Sequence, residues 1–116
     1  MTAIKSSSTN QMNKRIIATK CPVTFTLHKM GGRWKPLIIN NLLAGAKRYG
    51  ELKKAIPGIT DKMLIQNLKE LEADQLISRL ARPALPPHVE YSLTDCGQAL
   101  SPVLVAMKDW ASKYNV

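Results

Sequence analysis

At 116 residues, with 17 Lys+Arg against 8 Asp+Glu and a net charge of +9, the chain has room for one domain and excludes a second of full size. Its 45% hydrophobic content supports a core that buries roughly two-thirds of the unfolded surface, so neither disorder over the bulk nor a disulfide or metal scaffold is expected. No apolar run approaches the roughly 18 residues of a membrane span and the opening MTAIKSSSTNQMNKR lacks a signal-peptide core, so a soluble cytoplasmic protein is expected.

Residues 1–13 are rich in Ser, Thr and Asn with few large apolar groups to offset the entropy of ordering. A flexible N-terminal arm is expected there, followed by a single domain over 14–116. Pro22 suits the first position of a short helix that Gly31-Gly32 ends. From Trp34 to Leu43, with Pro36 near the start, Leu37, Ile38, Ile39, Leu42 and Leu43 crowd more than one stripe, as a deeply buried helix requires. Tyr49 to Ile56 reads as a short helix with Leu52, Ala55 and Ile56 inward, ended by Pro57-Gly58.

Thr60 is an apt N-cap for the next helix, and Asp61 suits the positive end of its dipole. Leu64, Leu68 and Leu71 fall within about 60° of one another at about 100° per residue, leaving Lys62, Gln66, Lys69 and Ala73 on the opposite face. The acids at the end of this helix, Glu70, Glu72 and Asp74, are expected to be solvated. After Leu76 the period becomes two: Ile77–Arg82 and Val89–Leu93 read as strands joined by the stiff loop Pro83-Ala-Leu-Pro-Pro87. Thr94-Asp95 caps a last helix whose Leu100, Val103, Leu104, Met107, Trp110, Ala111 and Tyr114 form one stripe, with a bend or restart near Ser101 imposed by Pro102. The fold class is therefore mainly α with a small β-hairpin (α+β).

Charge is uneven along this order. Residues 1–60 hold eleven Lys+Arg and one acid, Glu51, a net of +10, whereas residues 61–116 come to −1. Such asymmetry points to a polyanionic partner. Two helices around a Pro-Gly turn and then a hairpin give the element order of a winged helix-turn-helix. A recognition helix enters the major groove N-terminus first, which puts Thr60, Lys62, Gln66 and Asn67 near base edges and Lys69 on the same face. Arg79, Arg82 and His88 on the hairpin would follow the phosphate backbone.

Cys21 and Cys96 lie 75 positions apart outside any CxxC pair, and no cofactor or metal is expected. Cys96 reads as a buried, inert thiol. His28 has no partner at ligand spacing. Nothing in the chain matches a nucleophile elbow, a phosphate-binding loop or a zinc-protease helix, so catalysis is not expected. Trp34 and Trp110 read as core and interface anchors.

Separated blocks of the sequence carry a more specific signal. Cys21-Pro22-Val23, Gly31-Gly32-Arg33-Trp34-Lys35, Arg48-Tyr49-Gly50-Glu51-Leu52, Ile56-Pro57-Gly58-Ile59-Thr60, Lys62-Met63-Leu64, Leu68-Lys69-Glu70-Leu71-Glu72, Pro86-Pro87, Val89-Glu90-Tyr91-Ser92-Leu93-Thr94, Gly97 and Asp109-Trp110 occur in order over residues 20–114. With these blocks the chain resembles the HxlR-type transcriptional regulators, which are MarR-like winged-helix dimers. It departs from them at Asn67, where Arg is common, at His88, where Arg is usual and a pH-dependent wing cation results, and at Gln75, where Gly is common.

The resemblance implies a homodimer on pseudo-palindromic double-stranded DNA. The apolar terminal stripe agrees, because Leu100, Val103, Leu104, Met107, Trp110 and Tyr114, flanked by Val105 and Ala106, exceed what a helix-turn-helix core can cover. The helix after Cys21 is expected to contribute. Cys21 matches the cysteine with which several members of that family sense electrophiles or oxidants, and a thiol before a helix N-terminus beside Lys20 is apt for it. The reading from another function class is a winged-helix protein-interaction module without specific DNA binding, for which a +10 half would have no use.

Overall fold

A computed structural model describes residues 21–115; the expected arm over 1–13, the expected start of the domain at 14 and the neighbouring Lys20 lie outside the described residues. Two units are distinguished, meeting at Gly32 and Arg33. In the first, α1 (Pro22–Met30) begins with Pro22 in its first turn, and the Thr26 hydroxyl donates back to the Pro22 carbonyl at 2.9 Å. Gly31 leaves the helix extended and Gly32 takes φ +82, so the Gly-Gly pair stops the helix as its sequence implies. Val23, Phe25 and Leu27 on α1 are exposed.

The second unit is built around α2 (Trp34–Leu42), whose Ile38, Ile39 and Leu42 are fully buried. A two-residue strand, β1 (Lys47–Arg48), precedes α3 (Tyr49–Ala55). The Pro57-Gly58 turn, with Gly58 at φ +83, leads to α4 (Asp61–Ala73). Next come β2 (Ile77–Arg82), β3 (His88–Leu93), the single-turn α5 (Asp95–Gln98) and α6 (Ser101–Tyr114). The antiparallel sheet has the order β1-β3-β2, with Arg79 opposite Tyr91 and Arg82 opposite His88. α2 packs on α3, α4, α6 and β3, which makes it the centre of the unit.

Local chemistry explains α4. The Thr60 hydroxyl accepts from the Met63 amide at 3.2 Å, satisfying one of the orphan donors of the first turn. Leu64, Leu68 and Leu71 are buried at the expected spacing. The helix ends with Leu76 donating to the Leu71 carbonyl and Gln75 to that of Glu72, both at 3.0 Å, with Gln75 at φ +60. That is the left-handed Schellman stop, held here by a residue with a Cβ. The Thr94 hydroxyl then donates to the Gln75 carbonyl at 2.6 Å and accepts from the Gly97 amide at 3.1 Å, tying the exit of α4 to the start of α5.

Two expectations need correcting. Ala55 is exposed, because the chain leaves helical geometry at Ile56 and only Leu52 and Ile56 reach the core. Cys96 is exposed as well. The inward position of α5 is its neighbour Gly97, where an added Cβ would lie only 2.0 Å from the Leu76 carbonyl oxygen, so backbone and not a thiol fills that space. β1 has no counterpart in the sequence reading, since a two-residue bridge leaves no periodicity. The restart expected near Ser101 is present, with Pro102 in the first turn of α6.

These details set opposite signs for two substitutions. Gln75→Gly removes a left-handed penalty and should raise stability by about 1 kcal/mol, while Gly97→Ala should lower it by about 2 kcal/mol through backbone displacement. Urea denaturation of both variants, at unchanged slope, checks this.

Candidate nucleic-acid interface

With its leucine stripe buried, α4 turns Lys62, Gln66 and Lys69 outward, and all three are exposed together with the cap Thr60. Lys62, Ile65, Gln66, Lys69 and Glu70 line an open groove of about 450 Å³. Ile65, exposed among them, gives the groove an apolar floor. Asn67 is half-buried, and its amide donates to the Met63 carbonyl at 2.7 Å, which holds it nearer the helix than the other three.

Glu70 is not merely solvated. One carboxylate oxygen accepts from Gln66 Nε2 at 3.1 Å and the other lies 2.6 Å from Lys35 Nζ on α2. At the N-terminus of α4, Asp61 accepts from the Tyr49 hydroxyl at 2.5 Å and lies 3.5 Å from Lys53 Nζ, so α3 is pinned to the entry of α4. Desolvation and the hydrogen bond to Asp61 push the Tyr49 phenol up to about 12. The same hydrogen bond, aided by the Lys53 charge, holds the Asp61 carboxyl below its ordinary value.

The hairpin divides its cations between two faces. Alternation along β2 places Arg79 on the side of Ile77 and Tyr91, where it shares a groove of about 400 Å³ with Ile65, Leu68, Lys69 and Glu72 of α4. Arg82 lies on the other side. Its Nε is 3.2 Å from one oxygen of Glu90, and His88 Nε2 is 2.9 Å from the other. These hydrogen bonds, from His88 first and then Arg82, hold the Glu90 carboxyl below its ordinary value. The structure therefore brings Lys69 and Arg79 together and Arg82 and His88 together, but does not make the hairpin cations one row. The loop itself, Pro83 to Pro87, carries no cation, and Leu85 at its tip is almost fully exposed.

Two further features stand apart from α4. On α6 only Leu104 is buried; Leu100 is half-buried, and Val103, Met107, Trp110 and Tyr114 are exposed, the last two with ring centroids 5.4 Å apart. Cys21 occupies the N-cap of α1. The nearby Thr24 hydroxyl and amide hold its thiol below the ordinary value, against an opposing effect of burial.

A family profile of HxlR-like helix-turn-helix proteins matches residues 29–116. The chain belongs to the HxlR-like helix-turn-helix family. It is 48% identical over 95 residues to the HTH-type transcriptional regulator YdeP of Bacillus subtilis, covering 82% of this chain and 74% of YdeP. It is 50% identical over 95 residues to the regulatory protein MalR of Fusobacterium mortiferum, covering 81% of this chain and 90% of MalR. Among solved structures, the oxidised form of the redox regulator HypR superposes with a TM-score of 0.76 at 43% identity, over 80% of this chain and 96% of that one. The reduced form of the transcriptional regulator YodB of B. subtilis gives 0.71 at 40%, over 81% and 94%.

The α+β winged helix-turn-helix expected from the sequence is thus the fold of this HxlR-like chain. Among the described residues, no helix is long and apolar enough to cross a membrane. Sequence reasoning missed Ile65, whose signal was an apolar residue outside the Leu64/Leu68/Leu71 stripe. It also missed the acids Asp61, Glu70 and Glu90 as holders of neighbouring donors; Tyr49, Lys53, Lys35 and Arg82 come from other elements, while Gln66 and His88 lie on the acids' own elements, where the i, i+4 spacing of Gln66 and Glu70 was an available signal.

The Tyr49–Asp61 bond makes a titration prediction. The folded-state value of Tyr49 is raised above the ordinary 10, so its stabilising contribution is complete below pH 10 and is lost as pH rises through about 12. Tyrosinate absorbance, with the Tyr49→Phe trace subtracted, should show this phenol ionising near 12. In Asp61→Asn the midpoint should fall back toward 10.

Proposed function

We propose that this HxlR-like chain is a cytoplasmic, homodimeric transcriptional regulator that binds a pseudo-palindromic double-stranded operator. The observation that carries the reading is the outward face of α4, an N-capped helix anchored by three buried leucines that presents Lys62, Gln66 and Lys69 to solvent. In this reading Thr60, Lys62, Gln66 and Asn67 meet base edges, with Asn67 closest to its own backbone and Ile65 available to a thymine methyl group. Lys69 and Arg79 form one phosphate-directed pair. Arg82 and His88 form the other once the phosphate displaces Glu90.

The exposed apolar side of α6 supports self-association. Val103, Met107, Trp110 and Tyr114 would seat against the same residues of a second copy about a two-fold axis, setting the distance between the two α4 helices. A small electrophile or oxidant is the proposed effector, acting at Cys21. Its lowered thiol favours the nucleophilic thiolate, and an adduct or intersubunit disulfide next to a dimer-forming helix would change how the two α4 helices sit on DNA. That HypR and YodB are described in redox states is consistent with such an effector.

Selection from random duplexes should yield an inverted repeat, and binding to it should weaken steeply with salt. Arg82→Ala should weaken binding to every duplex and reduce the salt slope by about one, whereas Gln66→Ala should relax preference at one base pair in each half-site. Equal losses on selected and random duplex for Gln66→Ala would contradict the α4 assignment.

For the dimer, sedimentation should give a dimer for the wild type at micromolar concentration and monomers for Trp110→Asp, with loss of tight operator binding. Thiol alkylation at neutral pH should be faster at Cys21 than at a free thiol with a pKa of about 8.5, and peroxide or quinone treatment should lower operator affinity in the wild type but not in Cys21→Ser.

A further inference from the structure

We infer that Glu70 is a positioning residue that fixes which way round the Gln66 amide faces DNA, and thereby sets the donor–acceptor polarity that α4 reads. The inference rests on α4 being the recognition helix. Glu70 lies one turn beyond Gln66, and its Oε2 accepts from Gln66 Nε2 at 3.1 Å. An ionised carboxylate only accepts hydrogen bonds. The nitrogen of the Gln66 amide must therefore point to Glu70, since the reversed amide would set oxygen against oxygen. One amide hydrogen is engaged in this way. The other, with the amide oxygen, forms the donor–acceptor edge that pairs with N7 and N6 of adenine.

Glu70 can impose this orientation because it is itself held. Its Oε1 lies 2.6 Å from Lys35 Nζ, and the Lys35 side chain is only 12% exposed. Most of the Lys35 side chain is covered, so swinging the carboxylate toward solvent would leave a half-buried cation without this partner. The two oxygens thus divide their work: one neutralises Lys35 on α2 and the other orients Gln66 on α4. Because Lys35 cancels its charge, Glu70 can border the groove beside Lys62 and Lys69 without closing it to a polyanion.

The test uses the full chain, the duplex it selects, and duplexes substituted singly at the base pair where Gln66→Ala loses preference. Glu70→Ala should reduce discrimination at that pair about tenfold or more, to the level of Gln66→Ala. The double variant should lose nothing further, and affinity for random duplex should hold or rise because an anion has been removed. Glu70→Gln, which can accept from Gln66 or donate to it, should give intermediate discrimination and serves where the alanine variant melts early. Wild-type discrimination in either folded variant would overturn the inference while leaving α4 as the reader. A wild-type chain without preference at any base pair would overturn the reading of α4 itself, and this inference with it.

Discussion

The seating of α4 on its leucine stripe is the constraint on which the rest of the molecule depends. Leu64, Leu68 and Leu71 are buried at i, i+4 and i+7, and each such side chain contributes about 1.5–3 kcal/mol when removed from water. Because the period is helical, burying that stripe fixes the rotation of the helix. Lys62, Gln66 and Lys69 have no choice but to face outward. The hub beneath is α2, whose Ile38, Ile39 and Leu42 are closed off completely, so a displacement of α2 would be felt at α4, α6 and the hairpin together.

Around this frame three acids of the second unit are placed to organise donors. Asp61 holds the Tyr49 hydroxyl and faces Lys53 at the entry of α4; Glu70 joins Lys35 to Gln66; Glu90 joins Arg82 to His88. Pairs at or near the surface, as these are, add little to stability. Their effect is to hold long side chains in one arrangement before a partner arrives, lowering the ordering cost of binding. In the proposed complex they differ in what must happen next: Glu70 would stay in place while Gln66 reads a base, whereas Glu90 would release Arg82 to a phosphate.

Much of this was legible in the sequence because it is local. Thr60 as cap, the α4 stripe, the Gly-Gly and Pro-Gly stops and the restart at Ser101 each follow from residues within about two turns of one another, where helical period and capping chemistry act. What was not legible depended on distance or register. Gly97 displaces Cys96 from the interior because Leu76 approaches from another segment. Arg79 and Arg82 part company because three positions along a strand reverse the face. Lys35 finds Glu70 across a helix pair separated by 35 positions, which no spacing rule anticipates. The family-level reading succeeded for a different reason, since many short blocks in order specify a chain more tightly than any one of them.

The most direct test of the account is to follow the side-chain amide and backbone resonances of the isotope-labelled chain while adding the duplex it selects, with a random duplex of equal length as reference. The selected duplex alone should shift the Gln66 side-chain amide, with backbone changes running from Thr60 to Lys69, while the random duplex should perturb chiefly residues near the Lys and Arg side chains. Perturbations centred elsewhere, with Thr60 to Lys69 unmoved by either duplex, would contradict it.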